Sequence, residues 1–100
     1  MMTVITRVEL REGADAEWDA AMHERLAAAR DQPGWVGGQL LRPLNEASAR
    51  VIVGTWATRE DWEAWHDEEA VRETRRRLEG LQAGAGDLTW HEAIEDRRVD

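Results

Sequence analysis

The chain has no cysteine, no lysine, no phenylalanine and no tyrosine among its 100 residues. The absence of cysteine excludes disulfides, thiolate catalysis, zinc–thiolate sites and iron–sulfur clusters held by cysteine. The absence of lysine excludes Schiff-base catalysis, and the absence of tyrosine removes a phenolic acid or radical carrier. All thirteen basic residues are therefore arginine, and all six aromatic residues are tryptophan.

Net positive charge and long apolar runs are also missing. The formal net charge is −8, which argues against nucleic acid or an anionic membrane as a partner, because both need a basic footprint. No apolar run approaches the ~20 residues of a membrane span. Residues 1–4 lack the charged and hydrophobic segments of an export signal, so we expect a cytoplasmic protein. The length predicts a single domain over 1–100.

Hydrophobic periodicity divides the chain into six elements. Strands are predicted over 3–10, 35–44, 50–56 and 88–94, a first helix over 14–29, and a second helix from 58 to about 81 with an interruption near Asp67. The order βαββαβ predicts an α+β fold, the ferredoxin-like sandwich. In this fold two helices cover one face of a four-stranded antiparallel sheet.

The predicted strands carry large apolar side chains on both faces. In the third strand Ile52 and Trp56 oppose Val51 and Val53, and the second strand has Trp35 and Leu41 opposite Val36, Leu40 and Leu44. Two helices cover only one face, and the other would be too large an apolar patch for a monomer. We therefore expect a two-fold homodimer through the sheet face, with Trp35 and Trp56 as candidates for its seam.

The three histidines are the side chains that titrate near neutral pH without perturbation. His23, His66 and His91 do not have the spacing of a zinc site, so no metal is predicted. His23 is expected on the surface, His66 lies where the second helix breaks, and the register decides the face of His91. Each of them also has an ordinary surface or packing interpretation. Among the tryptophans, Trp65 is the one predicted to line a pocket, with packing as the alternative.

Two sequence stretches carry a family resemblance. Residues 33–43 read PGWVGGQLLRP and residues 56–65 read WATREDWEAW. Both resemble segments of the antibiotic biosynthesis monooxygenase (ABM) superfamily, and the resemblance extends from Thr3 to about Glu95. It implies a ferredoxin-like protomer that dimerises into an α+β barrel, in agreement with the apolar faces of the strands.

The resemblance also implies two kinds of activity. Some members of the family are cofactor-free monooxygenases of polycyclic phenols or anthrones, and others bind and degrade haem. Residues 39–43 and the spacing of Trp62 and Trp65 look most like the haem-degrading branch. That branch uses an Asn on the first strand, a Trp on the second helix and an axial His nine or ten residues later. Trp65 matches the Trp, whereas the other positions fall on Thr6 or Arg7 and on Thr74 or Arg75. Haem is therefore the alternative cofactor, and no cofactor is the first prediction.

The preferred hypothesis is a cofactor-independent monooxygenase that acts on a small aromatic or phenolic substrate with dioxygen. Such an enzyme needs a base, an apolar pocket and exclusion of bulk water. The predicted catalytic residues are His66 as the base, Trp65 as a stacking surface and Thr6 as a hydrogen-bonding group. The predicted substrate-binding residues are Trp56, Arg25, Thr74, Arg75 and His91. The pocket is expected between the helices and the sheet, and a non-catalytic dimeric module that binds a small molecule is a further alternative.

Overall fold

The computed structural model describes residues 1–99 and contains four strands and three helices. The strands are β1 (Met2–Glu9), β2 (Trp35–Leu41), β3 (Ala49–Trp56) and β4 (Asp87–Glu92). The helices are α1 (Asp15–Ala29), α2 (Arg59–His66) and α3 (Glu69–Gly80). The second and fourth strands end two to three residues earlier than the sequence predicts.

The four strands form one antiparallel sheet in the order β2-β3-β1-β4. This order confirms the predicted ferredoxin-like α+β fold. The central strand β1 pairs Thr6 with Ile52 on one side and with Leu88 on the other. Its even-numbered residues face the helices, because Val4 and Val8 are buried while their neighbours are half-buried or exposed. The odd-numbered residues form the opposite surface, which we call the outer face.

The register of β2 places Trp35 on the opposite face of the sheet from the predicted one. A bulge between Trp35 and Gly37 adds one residue to this strand, so Trp35 shares the helix face with Leu40 instead of the outer face with Leu41. Its indole lies over Gly38, where an added Cβ would come within 2.7 Å of the ring. Trp56 is also on the helix face and is 2% exposed. The prediction that these two tryptophans form a dimer seam is therefore wrong.

Helix α1 buries the face that its apolar spacing predicts. Trp18, Ala21, Met22 and Ala29 are buried, and Trp18 packs with Val8 and Leu78 in one of the two core clusters. The Trp18 indole Nε1 donates a hydrogen bond to Gln82 Oε1 at 3.2 Å. The indole is therefore fully buried without an unpaired donor.

The second predicted helix is two helices, as the interruption near Asp67 suggested. Thr58 caps α2, since its Oγ1 accepts a hydrogen bond from the Asp61 amide at 3.1 Å. The α2 helix ends at His66, and α3 begins at Glu69. This break leaves Trp62, Trp65 and His66 in the last turns of α2, before α3 begins. Within residues 1–99 no helix is both long enough and apolar enough to cross a membrane.

Candidate active site

A cavity of about 250 Å³ lies between the helix face of the sheet and the helices, where the sequence predicts a pocket. Its floor comes from β1 and β3, and its walls come from α1, α2 and α3. Tryptophan supplies most of its flat apolar surface. The side chains that line the cavity include Thr6, Trp18, Arg25, Trp35, Trp56, Trp62, Trp65, His66, Arg75, Glu79 and Gln82.

His66 occupies the C-terminal end of α2 and is held there by its own helix. Its Nδ1 lies 2.7 Å from the carbonyl oxygen of Trp62. A carbonyl only accepts hydrogen bonds, so Nδ1 carries the proton and Nε2 is left with its lone pair. The ring stacks on Trp62 at a centroid distance of 4.0 Å and meets the edge of Trp65 at 5.1 Å.

Burial between these two indoles lowers the pKa of His66 to about 4. The nearby charges of Arg25 and Arg75 also lower this pKa. The hydrogen bond to Trp62 opposes this effect only in part. The imidazole is therefore neutral at pH 7, with the Nε2 lone pair unprotonated in an apolar setting.

Three tryptophans form one side of the cavity. The Trp56 ring lies 5.1 Å from Trp35 and 5.4 Å from Trp65, measured between centroids. Trp65 is 7% exposed. Rings in such edge and tilted contacts leave flat apolar surfaces on which a planar ligand can stack.

A cationic group lies beside the tryptophans. Arg25 of α1 is 8% exposed, and its guanidinium carbon lies 5.5 Å from the centre of the Trp65 ring. Its Nη1 donates to Thr74 Oγ1 at 3.1 Å and, at a longer 3.4 Å, to the Val71 carbonyl. Burial, and then the charge of Arg75, lower the pKa of Arg25 to about 10. The side chain therefore keeps its charge at neutral pH.

Six of the eight predicted site residues line this cavity: Thr6, Arg25, Trp56, Trp65, His66 and Arg75. Thr74 does not line it, because its hydroxyl turns back to the Val71 carbonyl at 2.8 Å and holds Arg25. His91 pairs with Thr3 and lies on the outer face, exposed and hydrogen-bonded to Thr89. The sheet separates it from the cavity, so His91 does not join this site.

Trp62, Glu79 and Gln82 also line the cavity, although they are not among the residues predicted from the sequence. Trp62 precedes His66 by four residues, a spacing that brings two side chains together on one face of a helix. That spacing could have identified it. Glu79 and Gln82 carry no comparable signal, because the end of α3 and the following bridge of Gln82 to Leu10 depend on tertiary contacts.

Comparison with known proteins decides the family. The family model described as antibiotic biosynthesis monooxygenase matches residues 1–77. The chain belongs to this family. This finding confirms the resemblance seen in residues 33–43 and 56–65.

A curated relative of the chain has a named activity. The chain is 31% identical to a haem oxygenase (mycobilin-producing) of Mycobacterium tuberculosis over 67 residues, which is 67% of the chain. The match is the same in strains CDC 1551 / Oshkosh and ATCC 25618 / H37Rv. The chain spans 64% of the length of these curated relatives.

Solved ABM structures share the fold over nearly the whole chain. One crystal structure of an antibiotic biosynthesis monooxygenase superposes with a TM-score of 0.86 at 16% identity and covers 95% of this chain and 100% of that chain. SnoaB, a cofactor-independent oxygenase from Streptomyces nogalater, superposes with a TM-score of 0.85 at 20% identity, covering 95% and 94%. At these identities the likeness establishes the fold alone.

The residues of this ABM protein do not fit haem in the way the resemblance requires. The position expected for the axial histidine holds Thr74 or Arg75. The Thr74 hydroxyl is already bonded to Val71 and Arg25, and an arginine at neutral pH has no lone pair to offer a metal. Among the described residues that line the cavity, His66 is the one imidazole, and Trp62 and Trp65 pack against its ring.

Proposed function

We propose that this ABM-family chain is a cofactor-independent monooxygenase that oxidises a small phenolic or enolisable aromatic substrate with dioxygen. The observation that carries the proposal is the neutral imidazole of His66 in a tryptophan-walled cavity. The fold likeness to SnoaB, itself a cofactor-independent oxygenase, supports it. A volume of about 250 Å³ lies just below the range usual for ligand pockets and suits a ligand of two or three fused rings.

The proposed reaction converts a ring CH₂ group, activated by a neighbouring phenol or ketone, into a carbonyl. Nε2 of His66 takes one proton from the substrate and leaves a delocalised carbanion. The carbanion gives one electron to dioxygen, and the resulting radical pair combines to form a C–O bond. The proton returns from His66 to the peroxide, the O–O bond breaks, and water leaves with the second hydrogen of the CH₂ group. The overall balance is CH₂ plus O₂ to C=O plus H₂O.

The residues of the cavity have distinct tasks in this scheme. Trp56 and Trp65 stack on the planar substrate and exclude water from the carbanion. Thr6, on the cavity floor, donates a hydrogen bond to a substrate oxygen. His66 is the base, and its low pKa keeps it unprotonated before each turnover.

The test is aerobic oxidation of dithranol, an anthrone, by the wild-type protein and by His66→Ala. A general base contributes roughly 10²- to 10⁴-fold to a rate, so we expect kcat to fall by about a hundredfold or more. His23→Ala is the matched control, because His23 is exposed on α1 and does not line the cavity. An unchanged rate in His66→Ala would remove His66 from the mechanism.

Haem binding is the second candidate function, favoured by the 31% identity to the mycobacterial haem oxygenase. A haemin titration followed in the visible spectrum separates it from the first. A saturable Soret band at one haem per chain would establish haem binding and displace the first proposal.

A third reading is a dimeric module that binds a small molecule without catalysis. It would be supported if thermal shift detected ligand binding while no phenol or anthrone in a panel was oxidised.

The proposed assembly is a homodimer through the outer face. After the correction for the bulge in β2, the apolar residues of this face are Ile5, Leu41, Val51 and Val53. Leu41 is 44% exposed in the single chain. A second copy of the same face would remove this row of aliphatic side chains from water.

A further inference from the structure

Two arginines of the cavity lack the carboxylate partners that buried arginines usually have. Arg25 is buried and Arg75 is half-buried, and both line the cavity. Among residues 1–99 neither forms an ion pair with an Asp or Glu. A buried charge without a counterion is costly, so these two side chains need an explanation beyond packing.

Arg50 shows how this chain satisfies an arginine that has a structural role. Arg50 is 3% exposed and forms two hydrogen bonds to the Asp19 carboxylate, at 2.8 and 3.1 Å. Its Nη1 donates to the carbonyls of Ala47 and Ala49. Every nitrogen of that guanidinium therefore has a partner.

The guanidinium of Arg25 is different because only Nη1 has partners. Its Nε and Nη2 form no hydrogen bond within residues 1–99. No fully buried side-chain nitrogen or oxygen in the described chain lacks a partner, so these two nitrogens are reachable from the space beside them. They present two parallel N–H donors of the kind that bind a carboxylate.

The local field also favours an anion at this point. The charge of Arg75 disfavours the charged form of Arg25, and this effect is larger than the opposing attraction of Glu79. Glu79 lines the same cavity but is exposed and does not pair with either arginine. A ligand carboxylate would lie between two cations and relieve their repulsion.

Thr74 fixes the direction of the Arg25 side chain. Its hydroxyl donates to the Val71 carbonyl and accepts from Arg25 Nη1. Both oxygen partners are on α3, whereas Arg25 belongs to α1. Thr74 is therefore a positioning residue, which leaves the remaining guanidinium nitrogens available.

We propose that Arg25 and Arg75 hold a carboxylate of the substrate, so that the ligand is an aromatic carboxylic acid. The Trp65 indole lies next to Arg25 at 5.5 Å and next to His66 at 5.1 Å. An aromatic ring stacked on Trp65 therefore brings a carboxylate at one edge to Arg25 and an acidic hydrogen at another edge to His66. This inference rests on the proposed function for the identity of the stacking site, and it names the substrate class.

The experiment measures binding with a ligand that cannot be oxidised at a CH₂ group. Calorimetry on the full chain compares 2-naphthoate with 2-naphthamide, which has the same ring and shape without the charge. Hydrogen bonds to charged groups contribute enough for a tenfold or greater preference for the acid. We expect Arg25→Gln to abolish this preference and Arg75→Gln to reduce it severalfold.

Matched controls remove one positive charge just after α1 or on α3, outside the cavity. The controls are Arg30→Gln and Arg77→Gln. Arg30 follows the end of α1, Arg77 lies on α3, and both arginines are exposed and do not line the cavity. Both controls should keep the preference of the wild type. Thr74→Val should weaken binding of the acid and leave binding of the amide unchanged. Thr74→Ser should bind the acid as the wild type does, because the serine hydroxyl can make the same two hydrogen bonds.

Three results would overturn the carboxylate site. They are equal affinity for acid and amide, no measurable binding of the acid at millimolar concentration, or the same loss in Arg77→Gln as in Arg75→Gln. If Arg25→Gln does not fold, Arg75→Gln at the more exposed position decides the question. Dithranol oxidation without an acid preference would overturn this inference and leave the oxygenase proposal in place. An acid preference without oxidation would leave the carboxylate site in place and contradict the oxygenase proposal.

Discussion

His66 is neutral because of where α2 ends, between the Trp62 and Trp65 indoles. In the unfolded chain its pKa is about 6.5, and burial lowers the pKa in the folded protein to about 4. Between these values the unfolded state binds a proton that the folded state does not bind. This contribution to stability is complete above pH 6.5 and is lost as the pH falls towards 4.

We therefore predict that His66→Asn makes unfolding less dependent on pH. Urea unfolding, followed by tryptophan fluorescence, should show that wild type loses about 1–2 kcal/mol more than the variant between pH 7 and pH 5. His23→Asn is the control, since His23 is exposed on α1. If the free energy of unfolding changes with pH equally in wild type and His66→Asn, the lowered pKa of His66 is contradicted.

At the scale of the element, the bulge in β2 decides which side of the sheet receives Trp35. Gly38 makes this arrangement possible because a side chain there would meet Trp35 Cη2 at 2.7 Å and the Val53 carbonyl at 3.0 Å. The neighbouring Gly37 has no atom within 4 Å of its would-be Cβ. Of these two glycines, only Gly38 therefore has a steric reason to be small.

This difference predicts opposite outcomes for two alanine variants. Gly38→Ala should destabilise the protein by about 1–3 kcal/mol, because the indole or the strand must move. Gly37→Ala, the matched control, should be close to neutral. Thermal or urea unfolding of the two variants measures the difference, and equal losses would refute the packing of Trp35 over Gly38.

For the whole molecule, the helices cover one side of the sheet and a second copy is proposed to cover the other. The outer face carries Ile5, Val51 and Val53 in the middle of the sheet, flanked by Thr3 and Thr55, whose hydroxyls are 2.9 Å apart. These residues are half-buried in the single chain. Pairing two such faces buries aliphatic surface and needs no change in the cavity.

The prediction for the assembly is a dimer of twice the 11.4 kDa chain mass in light scattering. Val53→Arg should give particles of 11.4 kDa, because a second copy on the outer face would remove the introduced charge from water. Ala28→Arg is the control, since Ala28 is exposed on α1, away from the outer face. A wild-type mass of one chain would rule out the proposed interface.

The sequence by itself determined the order and type of the elements. The alternation in residues 3–10, the apolar stripe of α1 and the Thr58 cap are local patterns, and local patterns are set by backbone geometry. They were enough to predict the βαββαβ order and a pocket under the helices. Together with the family resemblance they led to Arg25, Trp65 and His66, which all line the cavity.

Only the tertiary structure decided on which side of the sheet the candidates lie. A single extra residue in β2 moved Trp35 to the helix face, and the pairing of β4 with β1 placed His91 on the outer face. The contact of Thr74 with Arg25 joins two helices that are far apart in sequence. Bulge position, strand register and helix packing follow from the global minimum of the chain rather than from any local window, so the sequence could supply the residues of the site but not their arrangement.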